Sequence, residues 1–268
     1  VTVTPAFSGA IPRSYDAHLG PFLFEPYAAD LARRLALSPG DAVLETACGT
    51  GILTEHLQRA SAGSVEIVAT DVSEPMLEVA RGMRGQLDGV RFEQADAAEL
   101  PFEDDGFDAV ACQFGLMFLP DKPAAVREAR RVLRPGGRLV LSVWDGLPSN
   151  PYVKVAQDTI ASFFPSDPPQ FLYVPWGFHE RGAIRELLVG AGFTGVELTT
   201  VAIQAERPTA LEVARGLVLG NPTIDAVEQR AQATPDKVVA AVAQALGSAF
   251  GHAPFRAPMQ AIVATGRR

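Results

Sequence analysis

Apolar positions along the chain switch repeatedly between two periods. Short β-prone runs occupy 42–46 (AVLET), 65–71 (VEIVATD), 90–96 (VRFEQAD), 107–114 (FDAVACQF) and 138–144 (RLVLSVW). Between them, apolar residues recur at helical spacing over 25–37, 52–60, 74–83 and 122–133. The first pattern predicts strands and the second amphipathic helices. The helix at 74–83 carries Pro75 at its front and has Ser73 as its cap candidate. The helix at 122–133 follows Asp121, a second cap candidate, and stops at RPGG. The run at 107–114 is apolar enough to be buried on both faces. Strands alternating with helices in this way predict a parallel sheet with helices on both faces and right-handed crossovers.

Beyond Trp144 the alternation fails. Residues 145–180 hold six prolines, together with Tyr152, Phe163, Phe164, Phe171, Tyr173, Trp176 and Phe178. A helix returns at 181–192, then a long strand at 196–206, a mostly helical stretch at 209–250 broken at GNPT, and a last strand at 259–266. The chain therefore reads as one domain over 1–268, with an N-terminal helical cap segment at 1–39. Two insertions, 145–180 and 207–256, are the candidates for a substrate lid, because long irregular segments in compact domains tend to carry function.

Composition narrows the partners. The chain has 268 residues, 47% hydrophobic and 20% charged, enough for a substantial core. A formal charge of −8 repels phosphate backbones, which argues against nucleic acid. The densest basic stretch, REARRVLR at 127–134, has helical spacing and includes Glu128, and reads as a solvated helix face. No apolar run is long enough to span a membrane. The first residues lack the order of a signal peptide. Cys48 and Cys112 form no metal-type pair and read as buried thiols in a reducing cytoplasm. No metal site is expected.

Candidate chemistry gathers at the ends of the predicted strands, where open parallel sheets bind ligands. The first strand runs into ACGTG (47–51), and the helix that follows offers free N–H groups. A nicotinamide cofactor would want G-x-G-x-x-G/A, but the residue three past Gly51 is Thr54. Glu45, just before the turn, would repel a pyrophosphate and attract an ammonium or sulfonium. Asp71 ends the second strand and suits a pair of ribose hydroxyls. Asp96 and Ala97, at the end of the third, suit an adenine amino group and ring nitrogen. Gln113 ends the fourth. Together these ends suit an adenosine bearing a cationic amino-acid tail.

In order and spacing, VLETACGTG, VATDVSEPML, QADAAELPFEDDGFDAVACQFGLMFLPD and ARRVLRPGGRLVLSVWD resemble the successive motifs of the class I S-adenosylmethionine-dependent methyltransferases. The resemblance is close over 40–146 and topological elsewhere. It implies a doubly wound α/β, Rossmann-like sheet of seven strands, mostly parallel, with the last antiparallel. It implies S-adenosylmethionine as cofactor and S-adenosylhomocysteine as product. By the same resemblance Glu45, Ala47, Gly49 and Gly51 line the methionine moiety, with Thr50 in the same turn as either a contact or a helix cap. Asp71 takes the ribose, Val72 and Met76 flank the adenine, Asp96 and Ala97 read its edge, and Gln113 lies by the methionine end. Ala47 departs from the family's usual glycine, and a slight reshaping of the turn is expected there.

Methyl transfer needs chiefly an in-line approach, and a base only where the acceptor must lose a proton. His18 and His179 are the base candidates. His18 lies with Tyr15 in a segment that the family places over the cofactor. His56 reads as a surface residue. Tyr15, His18, Trp144, Tyr152, Trp176 and Phe178 form the candidate substrate wall, suited to a small apolar or aromatic acceptor. The expected activity is methylation of such an acceptor at O, C or N. A nicotinamide-dependent oxidoreductase and a non-catalytic S-adenosylmethionine-binding module are the alternatives.

Overall fold

A computed structural model describes residues 7–268. Its centre is one seven-stranded sheet of order β3-β2-β1-β4-β5-β7-β6. The strands are β1 (Ala42–Thr46), β2 (Glu66–Asp71), β3 (Val90–Gln94), β4 (Phe107–Gln113), β5 (Leu133–Trp144), β6 (Thr194–Arg207) and β7 (Phe255–Arg267). Pairing is parallel from β3 through β5, and β7 runs antiparallel to both of its neighbours. The expected seven-stranded, mostly parallel Rossmann-like sheet is therefore the observed one. Strand order reverses between β1 and β4, so the carboxyl ends of these two strands flank the natural ligand crevice. β4 is almost wholly buried, as its continuous apolar run requires.

The helices are α1 (Ile11–Ser14), α2 (Glu25–Leu35), α3 (Ile52–Ala60), α4 (Glu74–Arg84), α5 (Lys122–Val132), α6 (Pro151–Ala161), α7 (Arg181–Gly190), α8 (Ala210–Leu219), α9 (Thr223–Arg230) and α10 (Pro235–Phe250). The predicted break at GNPT separates α8 from α9. Asp121 caps α5 by accepting from the Ala124 N–H at 2.8 Å. Ser73 makes no side-chain cap on α4; its hydroxyl instead donates to the Phe7 carbonyl.

Two segments differ from the sequence pattern. Within 145–180, residues Pro151–Ala161 form α6, whose first residue is a proline at the one helical turn that tolerates it. Between α1 and α2, Tyr15–Phe24 is a π-helix, so helical backbone runs unbroken from Ile11 to Leu35. Pro21 has no N–H to give to an ordinary helical ladder, and Gly20 lets Ile52 of α3 approach closely. His56 is not simply on the surface: half-buried on α3, its ring pairs with Glu25 of α2 at 2.5 Å. Both cysteines are free and buried. Of the basic stretch at 127–134, Arg131 on α5 pairs with Glu128 and Asp104, whereas Arg134 lies in β5, beyond the helix, and pairs with Asp108.

Candidate active site

The turn after β1 is shaped by left-handed backbone. Ala47, Gly49 and Gly51 have φ of +52°, +57° and +83°. The two glycines adopt this freely, whereas a methyl-bearing residue is held there at a cost of about 1–2 kcal/mol. The reshaping at Ala47 falls on a neighbour: a Cβ on Gly115 would collide with the Ala47 methyl, with Cys112 Sγ 3.0 Å away. Phe114, between them and β4, is also left-handed at φ +53°. Two strained non-glycine residues thus border one crevice, a placement typical of functional sites.

Polar groups at the strand ends fix this crevice. Glu45 is buried, 1% exposed, and its carboxylate accepts from the Thr54 hydroxyl at 2.6 Å. Burial pushes its carboxyl up to about 8; the Thr54 bond and the Arg84 charge oppose the shift and Asp71 adds to it. Asp71 accepts the Gly49 N–H on one oxygen and the Ser73 N–H on the other, each at 2.8 Å. Its carboxyl is also raised by burial, against these backbone donors. The Thr50 hydroxyl is buried without a hydrogen-bond partner among the described residues, and Gly51, not Thr50, is the N-cap of α3. Gln113 donates to the Phe24 carbonyl at 2.8 Å.

A cavity of about 140 Å³ opens from this turn. Ala47, Gly49, Asp71, Val72, Met76 and Gln113 lie along one end. The π-helix supplies Tyr15, Leu19, Leu23 and Phe24, and the other walls include Trp144, Phe171, Leu172, Trp176 and Leu217. A π-helix turns once in about 4.4 residues, so 15, 19 and 23–24 fall on one face. The aromatic wall is ordered: Phe114 stacks on Trp144 at 4.0 Å between ring centroids, and Trp176 stacks on Trp144 at 5.5 Å. Glu45, Thr50 and Gln113 share a smaller cavity of about 20 Å³ behind the turn with Tyr15.

Other sequence candidates stand apart from this cavity. Asp96 is exposed and accepts the Ala98 N–H at 2.8 Å, while Ala97 is buried against β4 and α5 residues. Tyr152 is fully buried beneath the wall, edge-on to Trp176 and Phe22. Phe178 lies under the Lys122 ammonium. His18 packs its backbone against Gly216 of α8, and His179 bonds the Trp176 carbonyl through Nδ1 at 2.9 Å. Neither histidine lines the cavity, whose only titratable side chains among the described residues are Tyr15 and Asp71. Burial, with the nearby Asp71 and Asp16 charges, holds the Tyr15 phenol far above its ordinary range, so it is no base. Leu19, Leu172 and Leu217 carry no signal in the sequence beyond their place in the cap and the two insertions.

The methyltransferase domain family matches residues 44–141. The ubiquinone/menaquinone biosynthesis C-methyltransferase UbiE of Hahella chejuensis is 43% identical over 122 residues, 44% of this chain and 49% of that protein. The demethylmenaquinone methyltransferase of Mycolicibacterium paratuberculosis is 36% identical over 173 residues, 60% of this chain and 71% of that protein. The chain belongs to the class I S-adenosylmethionine-dependent methyltransferase family. It spans about half the length of the first of these relatives. A phosphoethanolamine N-methyltransferase of Haemonchus contortus, solved with S-adenosylhomocysteine, shares the fold at a TM-score of 0.60 and 18% identity, covering 96% of this chain and 56% of that one. The family's cofactor is S-adenosylmethionine, and nothing in these likenesses favours nicotinamide chemistry or a non-catalytic module. The crevice fits that cofactor on its own terms: a buried carboxyl group that a facing cation would ionise, an unpartnered buried hydroxyl and a left-handed glycine turn suit a cationic amino-acid end.

Proposed function

We propose that this methyltransferase acts on an electron-rich ring carbon of a small, flat, apolar molecule of the quinol type. The observation that carries this is the cavity: apolar and aromatic, continuous with the glycine turn, and lined by no histidine, its one carboxyl, Asp71, being held by the Gly49 and Ser73 N–H groups. The names of the two relatives point to quinone-type acceptors, which such a wall suits.

In this reading Asp71 holds the ribose hydroxyls, Val72 and Met76 flank the adenine, and Glu45 faces the amino-acid ammonium with Thr50 and Gln113 beside it. Asp96 and Ala97, which stand outside the cavity lining, have no part in this reading. When bound, S-adenosylmethionine supplies an electrophilic methyl group. The chain's part is to hold the acceptor in the apolar cavity that Trp144 and Trp176 help to wall, to bring its carbon to near-attack distance, and to exclude water. The acceptor enters as its oxyanion, its hydroxyl proton lost to buffer; once the ring carbon is methylated, the hydrogen on that carbon moves to the oxygen and restores the hydroxyl. Residues 7–39, 145–180 and 207–256 act as the lid over this cavity; residues 1–6 of the expected cap segment lie outside the described residues.

Among the described residues no helix is long and apolar enough to cross a membrane. The two free, buried thiols support a cytoplasmic placement. The test is incubation with S-adenosylmethionine and a demethylated naphthoquinol, with mass spectrometry of the product. A carbon-bound methyl group supports the proposal. Methylation of oxygen only, or of amine acceptors in preference to the quinol, overturns it.

A further inference from the structure

Arg84 closes α4, one residue beyond the helix that the sequence pattern predicts. Its side chain is 9% exposed. The guanidinium reaches three separate elements. Nη1 donates both to the Thr50 carbonyl, inside the glycine turn, and to Asp16 Oδ1 of the π-helix, each at 2.9 Å. Nε donates to Glu55 of α3 at 3.0 Å. The side-chain Cδ also backs the turn directly, 3.2 Å from where a Cβ on Gly51 would stand.

These contacts form a connected set. Asp16 adjoins Tyr15, whose hydroxyl is 3.8 Å from the Cβ position of Gly49. Tyr15, Leu19, Leu23 and Phe24 are the π-helix's whole contribution to the cavity. A buried cation with two carboxylates and a carbonyl is satisfied only while all three elements stay together, and removing one partner of such a cluster is costly. We infer that Arg84 is a positioning residue that latches the π-helical cap to the cofactor turn, so that ordering of the turn and closure of the cap occur together. The inference rests on the crevice being the cofactor site. It does not depend on which acceptor is used.

The test uses the full chain and the variants Asp16→Ala, Arg84→Met, Arg84→Lys and the double Asp16→Ala with Arg84→Met, read by hydrogen exchange of the amides in 15–24 and by titration with S-adenosylhomocysteine. Asp16→Ala removes the acceptor on the cap side and leaves Arg84 on Thr50 and Glu55. Its cap amides are expected to exchange about tenfold faster than wild type while sheet amides are unchanged. S-adenosylhomocysteine is expected to bind severalfold more weakly, and Arg84→Met more weakly still. Adding Asp16→Ala to Arg84→Met should then cost nothing further, whereas independent structural roles would add. Arg84→Lys should keep part of the cap protection that Arg84→Met loses. If Arg84→Met does not fold, Asp16→Ala alone decides. Cap exchange or affinity like wild type in Asp16→Ala overturns the latch. Failure of the wild-type protein to bind S-adenosylhomocysteine would instead refute the cofactor site itself, whereas exchange of the ligand-free cap tests the latch separately.

Discussion

Binding of S-adenosylhomocysteine should release a proton from Glu45. Burial raises this carboxyl to about 8, so at pH 7 it is about one unit below its midpoint and protonated in a ratio of about ten to one. An ammonium placed against it favours the carboxylate. Binding at pH 7 therefore expels about 0.9 proton per site, and affinity rises about fivefold from pH 7 to pH 8 before levelling off. The assay is calorimetric titration at pH 7 in buffers of different ionisation enthalpy, where the slope of observed enthalpy against buffer enthalpy counts protons. Glu45→Gln should remove both the slope and the pH dependence. A zero slope at pH 7 in the wild-type protein would refute the placement of the ammonium on Glu45. The same shift has a sign for stability. The unfolded chain loses this proton from its ordinary value of 4.5, and the folded chain keeps it to about 8. The ligand-free protein therefore loses stability from this group as pH rises through that window, and the ligand should restore it.

Three further outcomes follow from the geometry. Gly115→Ala drives a methyl into that of Ala47 and should destabilise by about 1–3 kcal/mol; Ala47→Gly in the same chain should recover most of the loss in thermal denaturation. Asp71→Ala removes the proposed ribose acceptor and frees two backbone donors, so binding of S-adenosylhomocysteine should weaken by roughly 1.5–3 kcal/mol in a folded variant. His18→Gln and His179→Gln should leave methyl transfer within about twofold of wild type, since neither ring lines the cavity, and a large fall in kcat for either would reinstate a histidine base.

Much of the scaffold was legible because period and position agree. The run at 42–46 is β1 to the residue, and the glycine turn, Asp71 and Gln113 stand where strand ends must stand in a parallel sheet. What was not legible has physical reasons. The prolines of 145–180 hide α6, because Pro151 starts that helix where a missing N–H costs nothing. The π-helix winds with a longer period than an α-helix, so Tyr15, Leu19, Leu23 and Phe24 do not read as one face. His18 and His179 sit in the right segments but turn to α8 and to a backbone carbonyl, directions that chain position does not encode. Arg84 has partners 29, 34 and 68 residues away, and no local pattern announces them.

The most direct test of the account is a crystal structure of the complex with S-adenosylhomocysteine. It should place the ribose hydroxyls on Asp71, the ammonium within about 4–6 Å of the Glu45 carboxylate, and the sulfur facing the aromatic cavity bounded by Trp144 and Trp176. A ligand whose sulfur points away from that cavity, or whose ammonium is remote from Glu45, would contradict it.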